Sequence, residues 1–207
     1  MTKINKITVC LRSVNEAIYT TTLHTVLNFG MVCKMYNIQL EVNIVPDRTS
    51  IHKYLKTCDR LVWIDYGVSI DSQSVTKFSI PFPEGVHVMM IPTVLPNINW
   101  DRFKMKTTMG TPEPANQRGL DFDTAVIETK EMFRGVSEFV KCSNDGRVVA
   151  FDSKPVLKKM TSSVSVNKMK EDGIKIGVLN GDSALCHYTY ECIGNILETS
   201  GIVLSNE

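Results

Sequence analysis

The sequence predicts an α/β fold: a central, mostly parallel mixed sheet of about six strands, flanked by helices. Three observations point there. Leu61-Val62-Trp63-Ile64 is a short apolar run rich in β-branched and aromatic residues, which suits a strand buried on both faces. The first 70 residues alternate strand and helix patterns in the order β-α-β-α-β. The helical connections are long enough to return the chain across a sheet and so join parallel strands. The 207 residues read as a single domain, with a first half over 1–100 and a second over 101–207.

Residues 6–11 read as the first strand, closed by the polar turn 12–16. A helical pattern follows to about Tyr36. Tyr19, Leu23, Val26, Leu27, Gly30 and Cys33 recur at three- and four-residue spacing, so one face is buried. Asn37 stops it. Residues 38–45 alternate and form a second strand, ended by Pro46, and Asp47, Thr49 or Ser50 caps a short helix over 50–57. The third strand is 61–64, with Asp65 just past its C-terminal end.

Beyond Asp65 the alternation weakens. A short helix is expected from about Ser72, a loop over 81–85, and a buried strand over 86–91, stopped by Pro92 and Pro96. Residues 97–119 are rich in Pro, Gly, Thr, Asn and basic residues and predict a long irregular loop, of the kind that serves as a lid or binding loop. Residues 124–139 read as a helix, with Val126, Met132, Phe133 and Val136 as its buried stripe. Residues 147–151 read as a strand, 154–172 as a polar and basic segment, either mobile or a second lid, and 174–179 as a last strand. Asn180 to Ser183 is a turn capping a final helix over 184–197.

Composition excludes several classes. Lys plus Arg is 23 against 22 acidic residues, which argues against a general nucleic-acid or anionic-membrane binder. No apolar stretch approaches a membrane span and no signal peptide is evident, so a cytoplasmic protein is expected. Six cysteines, none spaced Cys-x-x-Cys, read as reduced thiols. The first turn, 12–16, holds no glycine, which counts against dinucleotide- and S-adenosylmethionine-binding enzymes. No Gly-x-x-x-x-Gly-Lys occurs, so a phosphate-loop kinase is excluded.

In an open parallel sheet, ligands bind beyond the C-terminal strand ends, so Asp65 is the first candidate site residue; capping the next turn is its alternative role. Three stretches resemble nucleotide-sugar glycosyltransferases of the GT-A fold, a Rossmann-like architecture. They are Val9-Cys10-Leu11-Arg12-Ser13-Val14-Asn15-Glu16, Val45-Pro46-Asp47-Arg48-Thr49-Ser50 and Leu61-Val62-Trp63-Ile64-Asp65-Tyr66-Gly67-Val68. The first looks like the strand and turn that hold the nucleotide edge, and the second like the turn whose Asp contacts uracil. The third looks like the strand ending in Asp-x-Asp. The similarity covers roughly residues 6–100, and the texture also resembles glycosyltransferase domains of large algal DNA viruses that build capsid glycans.

The resemblance implies a UDP-sugar donor, a glycan or protein-linked acceptor, and Mn²⁺ or Mg²⁺. It makes 1–100 the nucleotide-binding half and 101–207 the half that binds acceptor and completes the metal site, with further domains of a longer polypeptide allowed. Leu11, Arg12, Ser13, Asp47, Asp65, Tyr66 and Gly67 would hold the nucleotide, and Asp65 with His187 the metal. The second Asp-x-Asp carboxylate is missing, because Gly67 stands there, so Asp71, Asp123 or His187 would have to complete the ion's oxygen-rich shell. Transfer must also deprotonate an acceptor if configuration inverts. Asp121 and Asp123 are the candidate bases, placed before the helix expected at Thr124, whose dipole would favour the ionised form. Capping that helix is the other role open to Asp123. Arg102, Lys104, Lys106 and Arg118 could steady the leaving diphosphate. The rival to an enzyme is a non-catalytic module that binds nucleotide sugars with the same fold.

Overall fold

The computed structural model describes residues 3–113, 117–133, 135–143, 145–160, 164–180 and 185–186. The first part of the chain forms β1 (Lys6–Arg12), α1 (Thr20–Met35), β2 (Gln39–Val45), a 3-10 turn (Arg48–Ser50), α2 (Ile51–Leu55) and β3 (Arg60–Ile64). Then come β4 (Val68–Ser69), α3 (Ser72–Ser79), β5 (Val88–Met90), β6 (Val94–Ile98), α4 (Trp100–Met109), β7 (Leu120–Phe122), β8 (Thr124–Phe133) and β9 (Val136–Cys142). The last described elements are β10 (Val148–Asp152), α5 (Ser153–Lys159), α6 (Val166–Glu171), β11 (Ile176–Leu179) and β12 (Leu185–Cys186).

The expected β-α-β-α-β start is present. β1 lies parallel to both β2 and β3, in the centre of one half of an eight-stranded sheet ordered β2-β1-β3-β10-β5-β11-β9-β8. β5 and β11 are parallel to each other, while β10 runs antiparallel between β3 and β5 and β9 antiparallel between β11 and β8. Thus β2, β1, β3, β5, β11 and β8 share one direction, and the sheet is mixed but mostly parallel in sense.

Alternate residues feed two cores. Val62 and Ile64 of β3 join Phe29 and Val32 of α1 and Val75 and Phe78 of α3 on one face. Leu61 and Trp63 join Ile51 and Leu55 of α2, Val156 of α5 and Met169 of α6 on the other. Leu61 to Ile64 are buried, as their apolar run predicts, and Arg60 at the head of β3 is buried with them. Each large apolar side chain so buried contributes about 1.5–3 kcal/mol. No helix among the described residues is long and apolar enough to cross a membrane.

The second half departs from expectation. Residues 124–139 are not a helix but a hairpin, β8 and β9, and this raises the strand count above six. The turn sits at Gly135, φ +77°, a conformation glycine reaches without steric cost. The expected loop 97–119 carries α4, capped by the Asn99 side chain at its start and by left-handed Gly110 at its end. The segment 154–172 carries α5 and α6, each pinned by one or two buried apolar residues. The final helix expected over 184–197 is contradicted at Leu185–Cys186, which pairs as β12 with β4; its other residues, His187 included, lie outside the described residues.

Candidate functional site

The centre of the candidate site is Asp65, one residue past the C-terminal end of β3. Its backbone N–H donates to Arg147 O (2.9 Å), continuing the β3–β10 ladder by one step. That step places two side chains together: Arg147 Nε donates to Asp65 Oδ2 at 2.9 Å. From the parallel neighbour β1, Arg12 Nη1 donates to Asp65 Oδ1 at 3.0 Å. Oδ1 also accepts from the Tyr66 N–H at 2.8 Å. One carboxylate is therefore clasped by a buried guanidinium and by a half-exposed one.

Arg147 is the hub. Nη2 donates to Tyr66 O (2.8 Å) and Nη1 to Val94 O (3.2 Å), which ties the β3–β4 turn to the start of β6. Its backbone N–H donates to Asp123 Oδ2 at 2.8 Å. Asp123 Oδ1 accepts from Thr93 N (2.9 Å) and Thr124 Oγ1 (2.7 Å). Asp123 is thus a buried carboxylate whose oxygens are already engaged, and it cross-braces the loops before β6, β8 and β10. The helix dipole expected to support it is absent, since β8 follows. Burial raises its pKa, against the hydrogen bonds from Thr93, Thr124 and Arg147.

A carboxyl with a raised folded pKa stabilises the fold below its unfolded pKa, and the contribution is lost as pH rises through the folded value. Asp123→Asn is therefore expected to abolish a loss of stability with rising pH that begins near the ordinary Asp value of about 4. At neutral pH it should also cost about 1–3 kcal/mol, because the amide opposes one backbone donor with another. Urea unfolding across that range measures both, and an unchanged slope would contradict this account.

The other expected residues fall into two groups. Arg12, Ser13 and Asp47 stand with Asp65 at the strand ends. Ser13 N donates to Val45 O at 2.9 Å, closing β1 against β2. Asp47 is exposed, accepts from Thr49 N (2.8 Å) and Thr49 Oγ1, and its pKa is lowered by those bonds, with Arg12 adding to the effect. Tyr66 packs edge-on against Tyr19, with ring centroids 6.2 Å apart. Gly67 has φ +69°, and this is why a glycine stands where a second carboxylate was sought. Leu11 is 1 % exposed and paired on both sides, so its side chain builds the core and offers nothing to a ligand.

Asp121 lies away from this cluster, paired with Arg102 and accepting from Asn99 Nδ2 at 2.9 Å. Lys106 pairs with Glu113 (2.7 Å), and Arg118 donates to the carbonyls of Glu113 and Thr111. Asp71 caps α3 through Ser74. Among the described residues no group of three or more His, Cys, Asp or Glu side chains could hold a metal ion. Asp65 is the one carboxylate at the strand ends flanked by two guanidinium groups, a donor set that does not fit a divalent cation.

Sequence reasoning missed Arg147 and Arg48. Arg48, next to Asp47, sends Nη1 to the carbonyls of Asp145 and Gly146, the latter at 2.9 Å. Its guanidinium carbon lies 5.7 Å from the Trp63 ring centroid and 5.5 Å from that of Phe151. Among the described residues, its buried Nε and Nη2 meet no hydrogen-bond partner. Burial lowers its pKa to about 10, opposed by Asp145. Arg48 thus fixes the Asp47 turn to the loop that delivers Arg147.

No family model matches the chain, and no curated protein sequence matches it. Among solved structures it is similar to A197 from STIV, at 13% identity and a TM-score of 0.46, over 87% of this chain and 84% of that one. It is also similar to the inositol-1-phosphate CTP transferase from T. maritima, at 9% identity and a TM-score of 0.45, over 95% and 98% of the two chains.

Proposed function

We propose that the chain is a transferase acting on nucleotide sugars, and more narrowly a glycosyltransferase that takes its sugar from UDP and passes it to a glycan. The observation that carries this reading is the cluster of Arg12, Asp47, Asp65 and Arg147 at the C-terminal ends of β1, β2 and β3. It stands where an open α/β sheet accepts ligands. Arg12 is the cation in it with exposed surface, and it is aimed by Asp65, which Arg147 in turn holds. In this reading Arg12 receives the diphosphate and neutralises the charge that develops on it as the sugar leaves. Asp47 meets the base. Asp123 braces the site; Asp121, the other carboxylate expected to act as base, is held by Arg102 and Asn99 away from the cluster, so it would have to leave that pair to take a proton from an acceptor hydroxyl.

The two guanidinium groups around Asp65 do not fit a divalent cation, so Arg12 carries the charge stabilisation in this reading; a Mn²⁺ or Mg²⁺ requirement would rest on Asp65 with His187. The algal-virus resemblance would make the acceptor a capsid glycan. Asp65→Ala is a poor probe, since it strands the buried Arg147, whereas Arg12 makes an exposed pair worth little to stability. UDP at a hundredfold excess over Kd should stabilise the protein by about 2.7 kcal/mol, a rise of roughly 5–10 °C in Tm for a chain of this size. That rise should persist in EDTA, and Arg12→Ala should remove most of it while leaving the free protein's Tm in place. If UDP, GDP, CDP and TDP all leave Tm unchanged, or if Arg12→Ala does not matter, the proposal fails.

A second reading, a module that binds nucleotide sugars without turnover, is favoured by the engagement of both Asp123 oxygens and by Gly67. UDP release from a UDP-sugar separates the two: slow release marks the enzyme, and complete inertness with intact UDP binding marks the module.

A further inference from the structure

The end of the sheet away from Asp65 holds a cavity of about 650 Å³, bounded by the start of β3, the end of β10 and the loop before β5. That volume suits a small organic molecule. One wall is apolar: Ile4, Phe82, Val86 and three prolines, Pro81, Pro83 and Pro155. The Phe82 ring is held in place by Arg60, whose guanidinium carbon lies 3.5 Å from the ring centroid. Arg60 itself is 1 % exposed and spends four of its five donors inside the protein. Nε and Nη2 donate to Asp152 Oδ1 (2.9 and 2.6 Å), and Nη1 donates to the carbonyls of Phe78 and Ile80.

The acids of the cavity are engaged in the same way. Asp152 is paired with Arg60, and Asp59 Oδ2 accepts from the backbone N–H groups of Asn5 and Lys6 at 2.9 and 3.2 Å. The two lysines are held less tightly. Lys154 is exposed and reaches Asp59 only at 4.0 Å, and Lys3 has no ion-pair partner among the described residues. His87 lines the same space, and burial, followed by Lys159, lowers its pKa. Among the described residues, Glu84 is the acid lining the cavity for which no ion pair is seen. The cavity thus combines an apolar wall with two exposed lysines, Lys3 without an ion-pair partner among the described residues and Lys154 at the 4.0 Å outer reach of its pair with Asp59.

We infer that this cavity is a second binding site, for a small anion with an aromatic or heteroaromatic body, its ring against Phe82 and the prolines and its acidic group between Lys3 and Lys154. It lies at the opposite end of β3 and β10 from Arg12 and Asp65, so it does not depend on the proposed transferase reading. A ligand here would touch the far ends of the two strands that carry Asp65 and Arg147.

The probe is 8-anilinonaphthalene-1-sulfonate, followed by its fluorescence, with phenyl phosphate as competitor. One saturable equivalent is expected, displaced by phenyl phosphate but not by UDP, and unaffected by Arg12→Ala. The double variant Lys3→Glu/Lys154→Glu, both positions exposed and safe for folding, should weaken it about tenfold, and Glu84→Gln should tighten it. Absence of saturable binding, or binding indifferent to both sets of substitutions, would overturn the inference. Displacement by UDP, or loss in Arg12→Ala, would also overturn it, because the probe would then be reporting the other end of the sheet.

Discussion

Arg147→Met is expected to cost roughly 3–5 kcal/mol and to abolish UDP-dependent stabilisation together with it. The guanidinium is largely buried and spends its donors on Asp65, Tyr66 O and Val94 O. Removing one member of a buried ion pair leaves the other charge and the orphaned carbonyls without compensation, which is the expensive case. For a chain of this size the loss corresponds to a fall in Tm of roughly 6–20 °C. The functional part is separable. Arg147→Lys keeps a positive charge but cannot make the fork that grips Asp65 and Tyr66 at once, so it should recover part of the stability while UDP affinity stays low. A folded Arg147→Met protein with normal Tm and normal UDP response would show that Asp65 is held by other means.

The second large effect is expected at the other end of the same strands. Arg60 is 1 % exposed and engaged by Asp152, Phe78 O, Ile80 O and the Phe82 ring. Arg60→Met strands the Asp152 carboxylate, whose pKa burial already raises against the pull of Arg60. A cost of roughly 3–5 kcal/mol follows. The double variant Arg60→Met/Asp152→Leu removes both charges and should recover much of that loss. Denaturant unfolding of the two singles and the double measures the coupling; strict additivity would mean that the pair is not the source of the effect.

The two halves of the chain were not equally readable. In the first, each strand is an apolar or alternating run with a polar stop, and Asp65 announced itself by following Ile64 directly. Local pattern was enough there because β1, β2 and β3 are neighbours in sequence as well as in space. In the second half the signals were present but competing. Val126, Met132, Phe133 and Val136 are spaced like a helix face, yet Thr124, Val126, Ile127 and Thr129 are β-branched, and Gly135 marks a hairpin turn. α4 buries no residue, so it has no hydrophobic period to detect, and only its caps Asn99 and Gly110 betray it. Arg147 was invisible for a different reason. It meets Asp65 across 82 residues of sequence, and no local pattern encodes that pairing. The helix that was to place Asp121 and Asp123 was an error of period, and with it went the dipole argument for their charge.

The position of β10 bears on how the chain can be made. β3 and β5 do not touch; β10 is wedged between them, and Arg60 meets Asp152 only across 92 residues. A nascent polypeptide emerges from its N-terminus onward and begins to fold as it is made. β1, β2 and β3 can associate early, but β3 must keep one flank open through the synthesis of everything up to Asp152. During that interval an apolar ribbon with unsatisfied amides faces solvent, the condition under which chains stick to one another. On the ribosome, then, the vulnerable moment of this protein is the wait for its tenth strand.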